Sequence, residues 1–244
     1  IDSGADNDMV RAGDGDDQVF GGSGKDLLWG DADNDVMYGG EGDDQVFGGT
    51  GVDHLYGDDG DDHLEGGSGN DMLFGGEGDD RINAGPGDDN AVGNAGDDTI
   101  TGGNGDDELF GGDGFDWLYG GADNDKLHGQ SGNDVLEGED GADFLYGGFG
   151  NDYLDGGDGN DQLYGGANVA GPVGDYMIGG AGFDVFYFAS GDSGGAGPND
   201  VIVDFESGGD LMVFEGFAAN FVGEQSGFSQ GQGREAYFEH TQSG

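Results

Sequence analysis

Apolar residues recur at every ninth position along most of the chain. The series runs from Val10 to Leu163 and, after an interruption, resumes at Met177 and Phe186. One apolar residue between two residues of mixed polarity is typical of a short strand with one buried side chain, and the glycines between these residues are typical of turns. The pattern predicts a tandem array in which each nine-residue unit is a turn followed by a three-residue strand.

The full unit is Gly-Gly-x-Gly-x-Asp-x-apolar-x, and residues 3–187 hold twenty copies with an insertion within Ala167–Val173. We predict an all-β fold, a parallel β-roll in which two units complete each turn and alternate strands form two sheets. The eighth-place side chains point inward in two rows. The unit Ala84–Val92 is the weakest, because Pro86 enters its turn and Ala91 takes its apolar place.

Several units replace a glycine of the turn with a polar residue. Asp and Asn are the residues that best tolerate a left-handed backbone, so these changes cost little. The substitutions at the second place are Asp31, Asp58, Asn94, Gln130 and Glu139, and those at the fourth place are Asp6, Asp33 and Asp123.

The period is lost from Phe188 onward. Residues 200–205 and 209–214 are predicted to form two strands, and residues 234–240 a third. We expect this segment to cover the last open edge of the roll.

The sequence therefore predicts two domains: a β-roll over residues 1–187 and a small, irregular and incomplete β cap over residues 188–244. Because the chain opens almost at the start of a unit and shows no signal peptide, we interpret it as a fragment of a longer protein.

Composition and charge restrict the molecules that the chain can bind and the kinds of site that it can form. Five basic and 54 acidic side chains give a formal charge of −49, which disfavours nucleic acid and anionic membranes. The strict apolar period argues against a disordered acidic tail. The chain has no cysteine, which excludes disulfides and thiolate metal sites, and no apolar run long enough to span a membrane.

The sixth-place aspartates are the candidate ligands of a metal. Turns of units two apart should lie above one another, and stacked carboxylates repel unless a cation lies between them. Carboxylate and peptide oxygens in a flexible loop favour calcium over magnesium, and the four histidines lack the spacing of a zinc site. The predicted calcium ligands are Asp8, Asp17, Asp26, Asp35, Asp44, Asp53, Asp62, Asp71, Asp80, Asp89, Asp98, Asp107, Asp116, Asp125, Asp134, Asp143, Asp152, Asp161, Asp175 and Asp184.

Calcium binding is expected to be part of the folding free energy. One buried apolar side chain in nine residues cannot offset the loss of chain entropy, and charge repulsion adds to the deficit. The facing pairs of units predict about sixteen or more calcium sites.

The repeats closely resemble the RTX (repeats-in-toxin), or haemolysin-type, calcium-binding family. The resemblance implies a calcium-loaded β-roll in an extracellular protein exported by a type I secretion system. Phe186-Tyr-Phe, Asp200-Val-Ile-Val-Asp-Phe, Gly209-Asp-Leu and Phe221-Val-Gly are similar to the non-catalytic C-terminal domain of serralysin-type metallopeptidases.

No catalytic site is predicted. Gly191-Asp-Ser-Gly-Gly matches a serine-protease signature, but Ser193 has no accompanying histidine motif, and His-Glu-x-x-His is absent. Two functions stay open: a structural calcium-binding module, or the non-catalytic tail of a secreted hydrolase whose active domain lies upstream. In both, the expected partners are calcium ions and an upstream domain of the same polypeptide.

The ninth place alternates between two kinds of residue. Even-numbered units carry mainly aromatic residues there, including Phe20, Tyr38, Tyr56 and Phe74, whereas odd-numbered units are more mixed. One sheet should therefore carry an exposed aromatic ladder. It would stiffen the sheet by cross-strand stacking or serve as a docking face.

Overall fold

The computed structural model describes residues 1–168, 174–189, 200–206 and 209–215. These residues form twenty-four β-strands, and no helix is found among them. The strands are β1 (Asp2–Ala5), β2 (Met9–Asp14), β3 (Gln18–Ser23), β4 (Leu27–Ala32), β5 (Val36–Glu41), β6 (Gln45–Thr50), β7 (His54–Asp59), β8 (His63–Ser68), β9 (Met72–Glu77), β10 (Arg81–Pro86), β11 (Asn90–Ala95), β12 (Thr99–Asn104), β13 (Glu108–Asp113), β14 (Trp117–Ala122), β15 (Lys126–Ser131), β16 (Val135–Asp140), β17 (Phe144–Gly150), β18 (Tyr153–Gly159), β19 (Gln162–Asn168), β20 (Tyr176–Ile178), β21 (Ala181–Gly182), β22 (Val185–Ala189), β23 (Val201–Ile202) and β24 (Leu211–Glu215).

Successive strands alternate between two parallel sheets. The first sheet has the order β1-β3-β5-β7-β9-β11-β13-β15-β17-β19-β22-β24. The second has the order β2-β4-β6-β8-β10-β12-β14-β16-β18-β20-β23, with β21 also pairing with β18. The chain therefore winds as a two-sheet parallel β-solenoid, which confirms the predicted fold class and the assignment of alternate strands to each sheet.

The register matches the predicted period of two units. Leu28 of β4 lies opposite Val10 of β2 on one side and Val46 of β6 on the other. After the insertion the offset lengthens, and Leu154 pairs with Met177. We call two units that lie above one another in this way stacked units.

The core is the double row of eighth-place side chains, as predicted. Each is essentially closed to solvent, and the rows continue past the repeats through Ile202 and the partly buried Met212. The buried eighth-place residues are Val10, Val19, Leu28, Met37, Val46, Leu55, Leu64, Leu73, Ile82, Ala91, Ile100, Leu109, Leu118, Leu127, Leu136, Leu145, Leu154, Leu163, Met177 and Phe186.

The prediction of three-residue strands is wrong. Most strands have six residues, because each continues through the Gly-Gly-x of the next unit, as β14 does. Side chains alternate along a strand, so the first-place glycine faces inward like the eighth-place residue. A Cβ placed on Gly120 would lie 2.5 Å from Asp125 Oδ2 and 2.8 Å from the Gly138 carbonyl oxygen. The first glycine is thus required for space inside a strand rather than for a turn.

The second and fourth places do need glycine-like backbone. Glycines there have positive φ, for example 109° at Gly22 and 137° at Gly24. The residues other than glycine with positive φ among those described are the eight predicted substitutes, Asp6, Asp31, Asp33, Asp58, Asn94, Asp123, Gln130 and Glu139.

Beyond the repeats, the chain adds one further strand to each sheet. β23 pairs with β20, and β24 pairs with β22, both in parallel. β23 lies within the first predicted strand segment of the cap and β24 overlaps the second. The third predicted strand, residues 234–240, lies outside the described residues. Nowhere in the described chain is there a helix able to cross a membrane.

Candidate metal centre

The sixth-place aspartates form two columns, one in the turns that enter each sheet. Within a column the backbone N–H of each aspartate donates a hydrogen bond to Oδ1 of the aspartate in the next stacked unit. Asp107 donates to Asp125 at 2.8 Å and accepts from Asp89 at 2.8 Å. One column holds Asp8, Asp26, Asp44, Asp62, Asp80, Asp98, Asp116, Asp134, Asp152 and Asp175, and the other Asp17, Asp35, Asp53, Asp71, Asp89, Asp107, Asp125, Asp143, Asp161 and Asp184.

The second carboxylate oxygen of these residues, Oδ2, is buried like the first but is not part of the hydrogen-bonded column. From Asp26 to Asp184 the aspartates are at most 4 % exposed. Burying a polar atom without a hydrogen bond is costly, so a repeated instance needs an explanation. Within the described part of the chain, Oδ2 is buried and makes no hydrogen bond in Asp8, Asp26, Asp35, Asp44, Asp53, Asp62, Asp71, Asp80, Asp89, Asp98, Asp107, Asp116, Asp125, Asp134, Asp143, Asp152, Asp161 and Asp184.

Most of these oxygens face a peptide oxygen across a first-place glycine. At Gly120, the space that a Cβ would fill is bordered by Asp125 Oδ2 and by the carbonyl oxygen of Gly138, which belongs to the next stacked unit. At Gly48 the same two borders are Asp53 Oδ2 and the Gly66 carbonyl oxygen, both 2.5 Å away. Two hard oxygen donors therefore converge at most steps of a column, which fits a cation such as calcium.

The electrostatics of the columns also favour a cation. Burial raises the pKa of Asp125 to about 8, and the neighbouring carboxylates of Asp107 and Asp143 add to the rise. The hydrogen bond from the Asp107 N–H opposes it by favouring the charged form. Burial likewise raises the pKa of Asp80 to about 8 and that of Asp107 to about 7. A divalent cation beside Oδ2 would reverse this preference for the protonated acid.

The ligand set is not a ready-made cluster of side chains. Among the described residues, no group of three or more acidic or histidine side chains is placed to hold a metal ion. His54, His63 and His128 lie at seventh or ninth places on the outer faces of the sheets, and His240 lies outside the described residues. A metal ion bound in a column would therefore have to combine carboxylate with backbone oxygens, a combination that suits calcium and not zinc.

A second ladder, missed in the sequence, runs beside each column. Fifth-place Asp and Asn side chains accept hydrogen bonds from the backbone of the next stacked unit, as Asp61 does from Asp79 at 3.0 Å and Asp79 from Asp97 at 2.9 Å. These bonds run in the opposite direction to those of the sixth-place column, so the two ladders hold stacked turns from both sides. The sequence does carry a signal for this second ladder, since fourteen of the twenty fifth places are Asp or Asn.

The columns also extend beyond the predicted ligands. Asp200 accepts a hydrogen bond from the Asp175 N–H at 3.0 Å, and Asp210 accepts one from the Asp184 N–H at 3.2 Å. Each is followed two residues later by a core residue, Ile202 or Met212, so the Asp-x-apolar part of the unit persists beyond the twenty complete units.

The unit Ala84–Val92, which the sequence predicts to be the weakest, forms fewer residue pairs with one of its neighbouring strands. β10 pairs with β12 over five residues but with β8 over only three, and the missing pairs are at the Pro86 end, where the chain lacks an N–H. In the same unit, Ala84 places a Cβ in the first-place position that faces Asp89, and Ala91 stands in the core between Leu73 and Leu109.

The aromatic ladder of the first sheet is confirmed, but of its first four rings only Phe20 is exposed and the other three are half-buried. Phe20, Tyr38, Tyr56 and Phe74 stack in sequence with ring centroids 4.7–5.0 Å apart and nearly parallel planes. Val92 interrupts the ladder before it resumes at Phe110. The rings cover one another's faces and leave their edges outward, an arrangement that stiffens the sheet.

One family model matches the chain, and its matches together run from residue 2 to residue 168. The family is described as RTX calcium-binding nonapeptide repeat. A comparison with curated proteins finds no match. The similarity of the C-terminal segment to serralysin-type domains stays a prediction. The matched segments are 2–37, 20–55, 38–73, 56–91, 74–109, 83–118, 101–136, 110–145 and 137–168.

Proposed function

Because the chain belongs to the RTX calcium-binding nonapeptide repeat family, we propose that it is a structural module of a secreted protein that folds on binding calcium outside the cell. The observation that carries this proposal is the row of buried Oδ2 atoms, most of which face a peptide oxygen across a first-place glycine. Calcium would supply the positive charge that these oxygens lack. The twenty predicted aspartates would then hold it, and from Asp26 onward a backbone N–H of the preceding stacked unit fixes Oδ1.

Charge explains why folding should wait for calcium. The formal charge of −49 is concentrated in the turns, where buried carboxylates stack in columns. In a cytosol with little free calcium these columns would repel, and the chain would stay unfolded for export. In extracellular calcium of about 10⁻⁴–10⁻³ M, the range of such modules, it would condense. The resemblance to RTX proteins supports export by a type I system.

The roll itself is structural and non-catalytic, as repeats of this family are. The signature around Ser193 lies outside the described residues. A second candidate function is the non-catalytic C-terminal domain of a secreted hydrolase, such as a serralysin-like metallopeptidase with its active domain upstream. It is supported by β23 and β24, which lie where the sequence resembles that domain and continue both sheets of the roll.

A calcium titration of the purified chain tests the main proposal. Circular dichroism and small-angle scattering should show an expanded chain with little β-structure in excess chelator, and a compact β-rich rod at millimolar calcium. Magnesium at the same concentration is the control and should not substitute, because it demands rigid octahedral coordination. A chain already compact and β-rich in chelator would overturn the proposal.

A further inference from the structure

A chemically labile pair of residues, Asn104-Gly105, lies in a turn near the middle of the roll. Asn104 is the one asparagine of the sequence that is followed by glycine. It stands at the third place of its unit, at the end of β12, and its side chain is exposed. In such a pair the side-chain Cγ lies within reach of the next backbone nitrogen, and glycine has no Cβ to hinder that nitrogen. The pair is therefore a place where the chain can lose ammonia without an enzyme.

The stacking of the turns explains why glycine follows Asn104. Gly105 stands at the fourth place and has a φ of 122°, which favours glycine. A Cβ on Gly105 would also overlap the carbonyl oxygen of Gly87 in the preceding stacked unit, so a side chain there would force the backbone to shift. An asparagine placed before such a glycine is labile as a direct consequence of the repeat.

The folded roll holds the reacting peptide group from both sides. The Asn104 carbonyl oxygen accepts a hydrogen bond from the Gly87 N–H at 2.8 Å, and the Gly105 N–H donates one to the Ala122 carbonyl oxygen at 3.1 Å. Asn104 also pairs in register with Pro86 of β10 and with Ala122 of β14. The Gly105 nitrogen must give up its hydrogen bond and turn toward Cγ of Asn104 before it can attack. The reaction therefore requires this turn to open.

We propose that Asn104 is a deamidation site that the folded roll protects and the unfolded chain exposes. The Gly105 nitrogen forms a bond to Cγ of Asn104, its proton leaves with the side-chain amide as ammonia, and a five-membered succinimide ring remains. Water then breaks one of the two carbonyl–nitrogen bonds of the ring. Breaking the bond to Cγ gives aspartate, and breaking the bond to the backbone carbonyl gives isoaspartate. Calcium controls the rate through folding, and this part of the inference rests on the proposed function.

Isoaspartate at position 104 should damage the roll locally. Its main chain runs through Cγ, so one additional backbone atom separates residue 104 from Gly105. The added atom breaks the register with Pro86 and Ala122 at the end of β12 and displaces Asp107, the predicted ligand three residues later. The other product, aspartate, keeps the ordinary backbone and lies between two uncharged residues, so it should be tolerated.

Mass spectrometry of the full chain, aged at neutral pH in calcium, in chelator or in denaturant, tests the site. The peptide covering residues 99–119, in which Asn104 is the one asparagine, should gain the mass of deamidation at least about tenfold faster in chelator and in denaturant than in calcium. Circular dichroism of the same samples shows which of them are folded. Asn133, an exposed asparagine followed by aspartate, is the internal control and should react more slowly than Asn104 in denaturant.

Two variants make the test specific. Asp59→Asn creates a second labile pair at a third place. The Asp59 carbonyl oxygen accepts from the Gly42 N–H at 2.6 Å, and the Gly60 N–H donates to the Glu77 carbonyl oxygen at 2.8 Å, so the new pair should be protected by calcium in the same way. Asn104→Asp carries the charge of the product on an ordinary backbone and should fold in calcium like the wild type. Chain aged in chelator should instead lose hydrogen-exchange protection over residues 99–125.

The outcomes separate this inference from the proposed function. Equal rates at Asn104 in a folded and an unfolded sample would refute protection by the roll, and a faster reaction at Asn133 in denaturant would refute the site. A chain that is folded in chelator, or that calcium does not fold, contradicts the proposed function instead. In the first of these cases the comparison with denaturant still tests whether the fold protects Asn104.

Discussion

Asp107 and Asp125 are joined by a hydrogen bond of 2.8 Å from the backbone N–H of Asp107 to Oδ1 of Asp125. That bond occupies only one oxygen of Asp125. The other, Oδ2, is buried beside Gly120 and faces the Gly138 carbonyl oxygen. Asp125 can therefore have two separable tasks: Oδ1 holds the backbone of the preceding stacked unit, and Oδ2 is placed to bind the cation that we propose.

Substitutions at Asp107 should separate these tasks. Asp107→Asn keeps a side-chain oxygen for the Asp89 N–H but removes the charge, so it should weaken calcium binding in mid-roll about tenfold. Asp107→Ala should weaken calcium binding to the same extent. It also leaves the buried Asp89 N–H without a hydrogen bond, which should destabilise the fold by a further 1–3 kcal/mol, roughly. Calcium-dependent hydrogen exchange of peptides around residues 98–125 measures both effects.

The control for that pair is Asp113→Asn, an exposed third-place residue close to Asp107 in sequence. Because each turn contacts only its neighbours, both ends of the roll should keep their calcium midpoints in every variant. Equal shifts of the calcium midpoint in Asp107→Asn and Asp113→Asn would mean that the overall negative charge of the turns, and not a specific ligand, controls calcium affinity.

The first-place glycine should matter through space rather than backbone conformation. Gly120→Ala would place a Cβ 2.5 Å from Asp125 Oδ2 and 2.8 Å from the Gly138 carbonyl oxygen, so neighbouring atoms must shift. We expect it to destabilise the calcium-bound roll by about 1–3 kcal/mol, as overpacking does, and to weaken local calcium binding.

Ala84→Gly is the reverse experiment, because it removes a Cβ from the equivalent position facing Asp89. It should lower the calcium midpoint of peptides around residues 84–92. Calcium titrations followed by hydrogen exchange compare the two variants. A loss of affinity in Ala84→Gly, from the greater chain entropy of glycine alone, would show that the first-place Cβ does not obstruct the site.

The core has its thinnest point at Ala91, which lies between Leu73 and Leu109 in the inward row. Ala91→Leu should restore the row and stabilise the calcium-bound chain by about 1–2 kcal/mol, because it returns a larger buried apolar side chain to the core. Denaturant unfolding at saturating calcium measures this. A destabilised variant would show that the core has collapsed around Ala91 and leaves no room.

The repeat period predicted most of the fold, because a side chain's place in the nine-residue unit decides which way it points. The inward row, the aromatic ladder beginning at Phe20 and Tyr38, and the positive φ of Asp31 and Asn94 all follow from that period. The strand length did not, because a glycine that fills a tight space looks the same in sequence as a glycine that makes a turn.

The site was only partly predictable for a related reason. The sequence identified the sixth-place aspartates, but the division between Oδ1 and Oδ2 depends on the register of stacked units. Asp200 and Asp210 were missed because neither stands at the sixth place of a complete unit. Gly194-Gly195-Ala196-Gly197 precedes Asp200 with one residue too many, and Asp210 has no Gly-Gly-x-Gly before it.

Lowering the pH should stabilise the metal-free fold and so partly substitute for calcium. In the metal-free fold, burial raises the pKa of Asp80 and Asp125 to about 8 and that of Asp107 to about 7, from an ordinary value of 3.8. Between these values the folded chain binds more protons than the unfolded chain, so the stability of the metal-free fold falls as pH rises through this window. In excess chelator, β-structure should therefore increase as pH is lowered from about 8 to about 5.

Circular dichroism in chelator over that pH range measures the effect, and repeating it at about 1 M salt screens the exposed carboxylates and leaves the buried columns. Protons should also compete with calcium, so the calcium midpoint should rise as pH falls, because binding requires the charged carboxylate. A metal-free chain that gains β-structure with rising pH, or a calcium midpoint that does not change between pH 8 and pH 5, would contradict the placement of these carboxylates inside the roll.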